Sequence, residues 1–275
     1  MAPVCPSGQF MYIYAITKRL DQAAADCVAS PCQQQVDITF TSDCATTLPA
    51  TGINGTPVTI VSAGALSAVV SAMPSARVRP ERANLTSHNQ IQKNLMETHT
   101  VLPVAFGTIA DSPGAVKTFL IENEKNFIGQ LDTLDGKIEM GLRVRFDVLN
   151  VFEFFVRSYP ELKALRDAVF GSEKEPDWEV KIELGRKFER LLERERNLCT
   201  VRIMEAISSA CTDTKRNPPR NNHEVLNIAC LIKRQDAKQL DHSVSEIADQ
   251  FDEHYVFDMT GPWAPYNFVH LDLKI

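Results

Sequence analysis

The alternation of apolar and polar residues is strictest over residues 137–146, where every second side chain of KIEMGLRVRF is apolar. A period of two places alternate side chains on opposite faces of a strand, so this segment is predicted to be a half-buried strand. Residues 9–17 are aromatic and β-branched and predict a buried first strand. Residues 57–73 predict a hairpin whose two strands are separated by residues 62–64.

Two helices are predicted in the same half of the chain, where apolar residues recur at helical intervals. The first follows Pro80, and the second has Pro113 in its first turn and ends before Gly136. Between them, residues 100–109 predict a strand. Because Pro103 lies within it, this strand is expected at a sheet edge or with a bulge. This order of elements, with helices on one face of a mostly antiparallel sheet, predicts an α+β, ferredoxin-like domain over residues 1–146.

A polar segment at about residues 20–50 is rich in glutamine and cysteine and weakly periodic, which predicts an insertion or a long loop in this domain. The chain has seven cysteines, at Cys5, Cys27, Cys32, Cys44, Cys199, Cys211 and Cys230. An odd count without short regular spacing indicates reduced thiols rather than a disulfide framework. Cys27, Cys32 and Cys44 lack the CxxC spacing and a nearby histidine, so no metal site is predicted.

Residues 147–275 predict a second α+β domain, whose main feature is a helix of about thirty residues at 179–210. The narrow apolar stripe of this helix comprises Leu184, Phe188, Leu191, Leu198 and Val201. Because many Glu and Arg residues flank the stripe, it predicts an exposed helical hairpin or a short coiled coil. A solvated helix face accounts for the same charges, and contact with a helix of another protein is the alternative.

Shorter elements complete the second domain. Asp147 is the predicted N-cap of a helix through residue 155, and Pro160 is the predicted first residue of the next helix. The remaining predictions are an exposed loop, a strand, a helix and a final strand pair, at residues 212–222, 224–232, 237–251, 255–259 and 269–273.

The net charge of -6 and the pI of about 5.6 argue against nucleic acid as a principal partner, because phosphate contacts require a basic patch. The first residues lack the basic region of a secretory signal, so an intracellular protein is expected. Residues 44–76 carry no charge, but prolines, glycines and hydroxyl side chains dilute their apolar content. No membrane span is therefore predicted.

Catalytic and cofactor motifs are not found: the chain has no GxGxxG, GxxxxGK, GxSxG or HExxH. Asp252, Glu253 and His254 form a carboxylate–histidine cluster that an enzyme could use, although a solvated turn is the favoured interpretation. His88 and His99 are eleven residues apart, so they could share a helix face but not one metal ion. No catalytic, cofactor-binding or metal-binding residue is predicted.

The segment TGPWAPY near the C-terminus combines stiffness with large side chains. Gly261 permits a positive φ, while Pro262 and Pro265 fix φ and remove backbone donors. Trp263 and Tyr266 each offer a large apolar body with one polar tip, suited to packing over a sheet or to a partner surface. We predict a structural corner in which these two aromatic side chains brace the second domain.

Six segments of the chain together resemble the gas vesicle protein F/L family. In chain order they are YIYAI (12–16), GINGTPVTIVSAGALSAVVS (52–71), HNQIQKNLMETHTVLPVAFGTI (88–109), LDGKIEMGLRVRFD (134–147), PELKALRD (160–167) and TGPWAPYNFV (260–269). The closing GPW-x-PY-x-FV is the most specific of them. Its residues are the candidate structural or partner signature: Gly261, Pro262, Trp263, Pro265, Tyr266 and Phe268.

The resemblance implies a non-enzymatic accessory protein of the gas vesicle, the gas-filled protein shell that gives some prokaryotes buoyancy. It implies a minor shell component or an assembly factor without a cofactor, located at the vesicle inside the cell. The implied partners are the small hydrophobic main shell protein and other accessory vesicle proteins. The implied fold is a ferredoxin-like domain followed by an α+β domain with a coiled-coil element.

The chain departs from this family at three places. The segment of residues 21–49 is an insertion, Ala105 stands where an arginine is frequent, and Ala264 stands where a second proline is frequent. The alternative function is a ligand-sensing regulatory protein with an ACT-type, ferredoxin-like domain, which rests on analogy of fold alone. The sequence does not distinguish a shell component from an assembly factor, and it does not predict an oligomeric state.

Overall fold

The computed structural model of the chain describes residues 10–20, 47–171 and 178–271. Helices and strands are both abundant in it, and the predicted α+β class is confirmed. The ferredoxin-like topology stays a prediction. The chain divides into two compact units, the first comprising Met1–Glu139 with Pro262–Ile275 and the second Met140–Gly261.

This division differs from the predicted domains, residues 1–146 and 147–275, because it places the closing segment in the first unit. The physical reason is a set of hydrogen bonds that Tyr266, Asn267 and His270 make with residues of the first unit. The predicted bracing of the second domain by Tyr266 is therefore wrong.

The first unit is built on a sheet whose central strand is β1 (Phe10–Lys18), as predicted. Residues 11–17 of β1 are all buried, and β1 pairs antiparallel with β4 along one edge and with β5 and β6 along the other. The strand order is β2-β3-β4-β1-β5, with β6 also on β1. The other strands are β2 (Thr47–Thr51), β3 (Pro57–Ala63), β4 (Leu66–Met73), β5 (Val101–Pro103) and β6 (Ile109–Ala110).

The predicted hairpin of residues 57–73 is confirmed as β3 and β4. Gly64 makes the turn with a φ of 57°, a conformation that glycine adopts without a steric penalty. Residues 100–109 form two short strands, β5 and β6, instead of one, and Pro103 is the last residue of β5. Strand β2 overlaps the end of the predicted insertion at about residues 20–50. Residues 21–46, including Cys27, Cys32 and Cys44, lie outside the described residues, as does Cys5.

In the described residues, the α-helices of the first unit are α1 (Arg82–Thr98), α2 (Pro113–Glu122) and α3 (Glu124–Thr133). The prediction of one continuous helix after Pro113 is wrong, because Asn123 separates α2 from α3. The Asn123 side chain donates to the carbonyl of Phe119 at 2.9 Å, so an asparagine that competes for helix backbone groups ends α2. Ser112 caps the start of α2, where its hydroxyl accepts from the backbone N–H of Ala115 at 3.1 Å.

The second unit contains most of a four-stranded sheet in the order β10-β7-β9-β8. The predicted strand at 137–146 is confirmed as β7, and residues 212–222, predicted as a loop, include the edge strand β8. The strands are β7 (Lys137–Phe146), β8 (Asp213–Arg216), β9 (Glu224–Lys233) and β10 (Tyr255–Trp263). The helices are α4 (Val151–Ser158), α5 (Pro160–Phe170), α6 (Trp178–Ile207) and α7 (Ala237–Ala248).

Helix α6 is the predicted long helix, but its buried side is wider than the predicted stripe. It packs against α5, α7 and β9, and its buried residues are Leu184, Phe188, Leu191, Leu192, Cys199, Ile203 and Ile207. Leu198 and Val201, which the prediction placed in this stripe, are instead exposed. The helix is therefore one wall of a globular core on one side and open to solvent on the other.

The end of the chain also differs from the prediction. Strand β10 continues through Gly261, whose φ of 128° agrees with the predicted positive φ, and through Pro262 to Trp263. A proline is tolerated there because β10 is an edge strand and needs no donor on its open side. The predicted last strand is absent over residues 269–271, and residues 272–275 lie outside the described residues.

The N-cap of α4 is Asn150 rather than the predicted Asp147, since the Asn150 side chain accepts from the backbone N–H of Glu153 at 3.2 Å. We expect Asn150→Ala to lower the free energy of unfolding by about 1 kcal/mol, because it removes the acceptor for an orphan helix donor. Asp147→Ala is the matched control and should change the free energy of unfolding by less than about 0.5 kcal/mol, since the Asp147 side chain forms an exposed ion pair with Arg145. Urea unfolding of both variants measures the difference, and equal losses would contradict the assignment of the cap.

Candidate functional site

The closing signature supplies one side chain, Tyr266, to a polar cluster inside the first unit. Of the whole Tyr266 residue 38% is exposed, but its hydroxyl lies 2.9 Å from Nε2 of the buried His88 on α1. The other ring nitrogen of His88, Nδ1, lies 2.8 Å from the hydroxyl of Tyr12 on the central strand. The imidazole therefore bridges a tyrosine of β1 and a tyrosine from the C-terminal segment.

Gln92, one helical turn after His88, connects the same hydroxyl to the sheet. The Tyr266 hydroxyl donates to Gln92 Oε1 at 2.6 Å. Gln92 Nε2 donates to the backbone carbonyls of Tyr14 at 2.7 Å and of Val104 at 3.2 Å. Gln92 is 2% exposed and His88 1%, so both polar side chains depend on these partners for hydrogen bonding.

One assignment of the protons gives every donor an acceptor. In it both Nε2 protons of Gln92 go to the carbonyls of Tyr14 and Val104, and Gln92 Nε2 lies 3.0 Å from His88 Nε2 without donating to it. His88 is neutral and protonated on Nε2, which donates to Tyr266, while Nδ1 accepts from Tyr12. The Tyr12 hydroxyl in turn accepts from the backbone N–H of Gly107 at 3.2 Å. This tautomer leaves Tyr266 free to donate its single proton to Gln92.

Burial lowers the pKa of His88 to about 4, because a charged imidazolium would lose its hydration. Burial also raises the pKa of the surrounding hydroxyls: those of Tyr12 and Tyr14 are raised, and that of Tyr266 is raised to about 12. The four groups are therefore neutral at physiological pH. The network is held by neutral hydrogen bonds rather than by ion pairs.

A second branch of the network starts at Tyr14, where a β-bulge shifts the pairing of β1 with β4. The Tyr14 hydroxyl donates to Ser71 Oγ at 3.0 Å and accepts from the backbone N–H of Ile53 at 2.9 Å. A Cβ added at Gly52 would lie 2.4 Å from this hydroxyl and 2.5 Å from Ser71 Oγ, so the backbone approaches more closely than any side chain permits.

Asn267 and His270, which follow Tyr266, hold the rest of the closing segment to the first unit. Asn267 donates its backbone N–H at 2.9 Å and its side-chain amide at 2.7 Å to the two oxygens of the buried Glu139 carboxylate. His270 exchanges two hydrogen bonds of 2.9 Å with the Gln130 side chain, which imitates one rung of a sheet ladder. Together with Tyr266, these contacts define the closing clasp: Tyr266, Asn267 and His270.

The cluster is chemically saturated. Across residues 10–20, 47–171 and 178–271, every buried side-chain nitrogen and oxygen has a hydrogen-bond partner. In the same ranges no group of three metal-ligating side chains comes together. The arrangement can fix the C-terminal segment and stiffen the core, because a fully satisfied buried network specifies a unique geometry.

The remaining predicted candidates lie apart from this network. His254 Nδ1 is 3.1 Å from Asp252 Oδ1 in an exposed turn, which agrees with the solvated interpretation of that cluster. Ala105 is exposed, and the backbone carbonyl of this residue accepts from Thr108 at 2.8 Å. No helix of the described residues is long and apolar enough to cross a membrane.

The second unit has a polar cluster of its own, which the sequence did not reveal. The two carboxylate oxygens of Glu195 on α6 accept from the hydroxyls of Tyr159 and Tyr255, each at 3.0 Å. Burial raises the pKa of the Tyr159 hydroxyl to about 12, and burial also raises the pKa of the Cys199 thiol, 3.7 Å from Glu195, to about 12. Cys199 is therefore a thiol at neutral pH and packs as a small apolar group.

A signal for the first-unit network was present in the sequence. His88 and Gln92 are four residues apart and lie among Ile91 and Leu95, so they fall on the apolar face of the predicted helix. Polar side chains on a core-facing stripe predict buried hydrogen bonds. Their partners could not be predicted, since they come from residues 12, 14, 104 and 266.

Comparison with known proteins gives one family. The sequence model of the family described as "Gas vesicle synthesis protein GvpL/GvpF" matches residues 10–270. A gas vesicle protein F from a Streptomyces species is 30% identical over 213 residues, covering 78% of this chain and 88% of the relative. A gas vesicle protein L from the same strain is 27% identical, covering 79% of this chain and 85% of the relative.

Two solved structures share the fold. The crystal structure of the gas vesicle protein GvpF from Anabaena sp. PCC7120 superposes with a TM-score of 0.76 at 19% identity, covering 97% of this chain and all of that chain. The crystal structure of GvpF from Microcystis aeruginosa gives a TM-score of 0.75 at 20% identity, covering 95% of this chain and 99% of that chain. At these identities the likeness establishes the fold.

Proposed function

Because the chain belongs to the gas vesicle synthesis protein GvpL/GvpF family, we propose that it is a non-enzymatic accessory protein of the gas vesicle. In this role it is a minor structural component or an assembly factor of the shell, located at the vesicle in the cytoplasm. It binds the main hydrophobic shell protein and other vesicle proteins. The observation that carries the proposal is the family match across residues 10–270.

Two features of the structure support a binding role: the buried polar cluster is fully hydrogen-bonded, and several large apolar side chains are exposed at the surface. The most specific part of the signature holds the C-terminal segment in place through Tyr266, and that cluster has no unsatisfied buried group in the described residues. A hydrophobic partner would therefore be bound by exposed apolar side chains at the surface. Exposed large apolar side chains include Leu149, Phe170, Trp178 and Trp263. Exposed aromatic side chains are enriched where proteins bind one another.

The direct test is purification of buoyant vesicles from a producing cell, followed by detection of this protein in the washed vesicle fraction. A second measurement is binding of the purified protein to the main shell protein. The proposal expects co-flotation with vesicles and fewer or malformed vesicles in a deletion strain. A deletion strain with normal vesicle number and shape would overturn it.

Of the two large exposed side chains of the signature, Trp263 is more available to a partner than Tyr266, since 44% of Trp263 and 38% of Tyr266 are exposed. We expect Trp263→Ala to weaken association with vesicles about fivefold while changing the free energy of unfolding by less than about 0.5 kcal/mol, because a truncated interface aromatic loses contact area only in the complex. Trp178→Ala is the matched control, as the other tryptophan is 71% exposed and outside the signature.

Quantification of bound protein in floated vesicles distinguishes the two variants. If Trp263→Ala binds like the unmodified protein, the signature acts through the closing clasp alone. If both tryptophan variants lose binding equally, the contact is not specific to the signature.

A further inference from the structure

Helix α6 carries an apolar patch on the side opposite its buried face. Leu198 and Val201 are 53% and 56% exposed, whereas neighbouring residues such as Cys199 and Ile203 are buried. These two exposed side chains line an open groove of about 470 Å³ together with Arg190, Glu193, Arg194 and Asn197. The patch is thus a shallow, open surface with two adjacent apolar side chains and is not an isolated apolar side chain.

The patch is part of a regular stripe. Arg194, Leu198, Val201 and Glu205 follow one another at intervals of four, three and four residues. This spacing places the four side chains in one row along the helix, as in the contact seam of a coiled coil. The row has a basic residue at one end, two apolar residues in the middle and an acidic residue at the other end.

The two charged ends of this stripe have no ion pair in the described part of the chain, where Arg194 and Glu205 are both exposed. Other charges of the same unit do pair, such as Lys187 of α6 with Glu161 of α5 at 3.9 Å. The charges at the ends of the stripe are therefore available to a partner.

A second copy of the same helix, laid antiparallel, complements this stripe. When Leu198 faces Val201 of the second copy, Arg194 faces Glu205 of the second copy, because both pairs of residue numbers have the same sum. The two-fold symmetry repeats both contacts. A parallel arrangement would instead place Arg194 against Arg194 and Glu205 against Glu205, so the charges select the antiparallel pair.

We propose that the protein forms a weak homodimer through the stripe Arg194, Leu198, Val201 and Glu205 of α6, with the two helices antiparallel across a two-fold axis. The apolar centre supplies the contact area, and the two symmetric Arg–Glu pairs determine the direction of the helices. The buried side of α6 stays in the core of its own unit, so dimerisation needs no unfolding.

Sedimentation equilibrium of the purified full chain tests the proposal, over about 1 to about 500 µM because weak dimers dissociate in that range. Each of Arg194→Glu and Glu205→Arg should weaken dimerisation about tenfold, since each places two like-charge pairs across the interface. The double variant R194E/E205R restores opposite charges and should return the dissociation constant to within about threefold of the original.

An apolar variant and its control complete the experiment. Leu198→Asp should give a monomer throughout the concentration range, whereas Ile121→Asp should leave the dimer intact. Ile121 is 59% exposed on α2, so the control makes the same kind of substitution at similar exposure outside the stripe. A protein that is monomeric throughout the range overturns the proposal, as does a dimer that persists in Leu198→Asp. Failure of the double variant to recover the dimer overturns the antiparallel register.

Discussion

Replacing Tyr266 by phenylalanine is expected to lower the free energy of unfolding by about 2 to 3 kcal/mol, although the ring itself is retained. The loss comes from the hydroxyl, which accepts from His88 and donates to Gln92. Both partners are almost fully buried, so neither can turn to water when the hydroxyl is removed. An orphaned buried polar group costs about 1 to 3 kcal/mol, more than the net stabilisation of the hydrogen bond itself.

Urea unfolding of Tyr266→Phe and of the control Trp263→Phe measures this difference. The control removes part of an exposed aromatic side chain three positions earlier and should cost less than about 0.5 kcal/mol. A double-mutant cycle with Gln92→Leu should show a coupling of about 1 kcal/mol or more, because both substitutions break the same hydrogen bond. Additive losses would show that the hydroxyl does not act through Gln92.

Loss of the hydroxyl should also loosen the end of the chain. The closing clasp retains Asn267 on Glu139 and His270 on Gln130, but it loses the contact nearest the core. Limited proteolysis should therefore cut Tyr266→Phe after residue 263 sooner than the unmodified protein, since cleavage follows local opening. Equal cleavage rates would show that the other two contacts alone fix the segment.

The elements that the sequence predicted well are those whose pattern is local. The alternation in β7, the apolar face of α7 and Pro160 at the start of α5 each depend on neighbouring residues, and the structure confirms all three. The break between α2 and α3 was missed, because Asn123 interrupts a continuous apolar stripe through one side-chain hydrogen bond. In the sequence, one helix-ending residue is a weaker signal than the periodic apolar stripe on both sides of it.

The candidate site was predicted only in part, for the same physical reason. The signature was identified, and its glycine has the predicted positive φ. The destination of Tyr266 was not predicted, because its partners His88 and Gln92 precede it by 178 and 174 residues. Contacts of that separation leave no periodic trace in the sequence. The division of α6 into a core side and an exposed Leu198 side was likewise set by packing against α5, α7 and β9.

Acidification should weaken the protein through His88 before it reaches the pH range in which carboxylates titrate. The folded state holds the pKa of His88 at about 4, whereas the unfolded chain has the ordinary value of about 6.5. Below pH 6.5 the unfolded state therefore binds more protons than the folded state, and stability falls as the pH is lowered. The stabilisation is fully present above about pH 6.5 and is lost progressively toward about pH 4.

The size of the expected loss of stability follows from the folded and unfolded pKa values of His88. Between about pH 7.5 and about pH 5 the contribution of His88 to the free energy of unfolding decreases by about 2 kcal/mol. The hydroxyls around His88 do not oppose this change, because the pKa values of Tyr12, Tyr14 and Tyr266 are all raised and these groups stay neutral. Protonated Nδ1 would face the Tyr12 hydroxyl, which already accepts from Gly107 and would have to give up its role as donor.

His88→Gln removes the titrating group and isolates its effect from that of the carboxylates. The variant should be less stable than the unmodified protein at about pH 7.5, but the difference should shrink by about 2 kcal/mol by about pH 5. His242→Gln is the control, since it makes the same substitution at an exposed histidine of α7 that lies outside this network. A constant difference between His88→Gln and the unmodified protein across this range would mean that the folded state tolerates a protonated His88. The neutral network that holds Tyr266 would then need a different assignment of its protons.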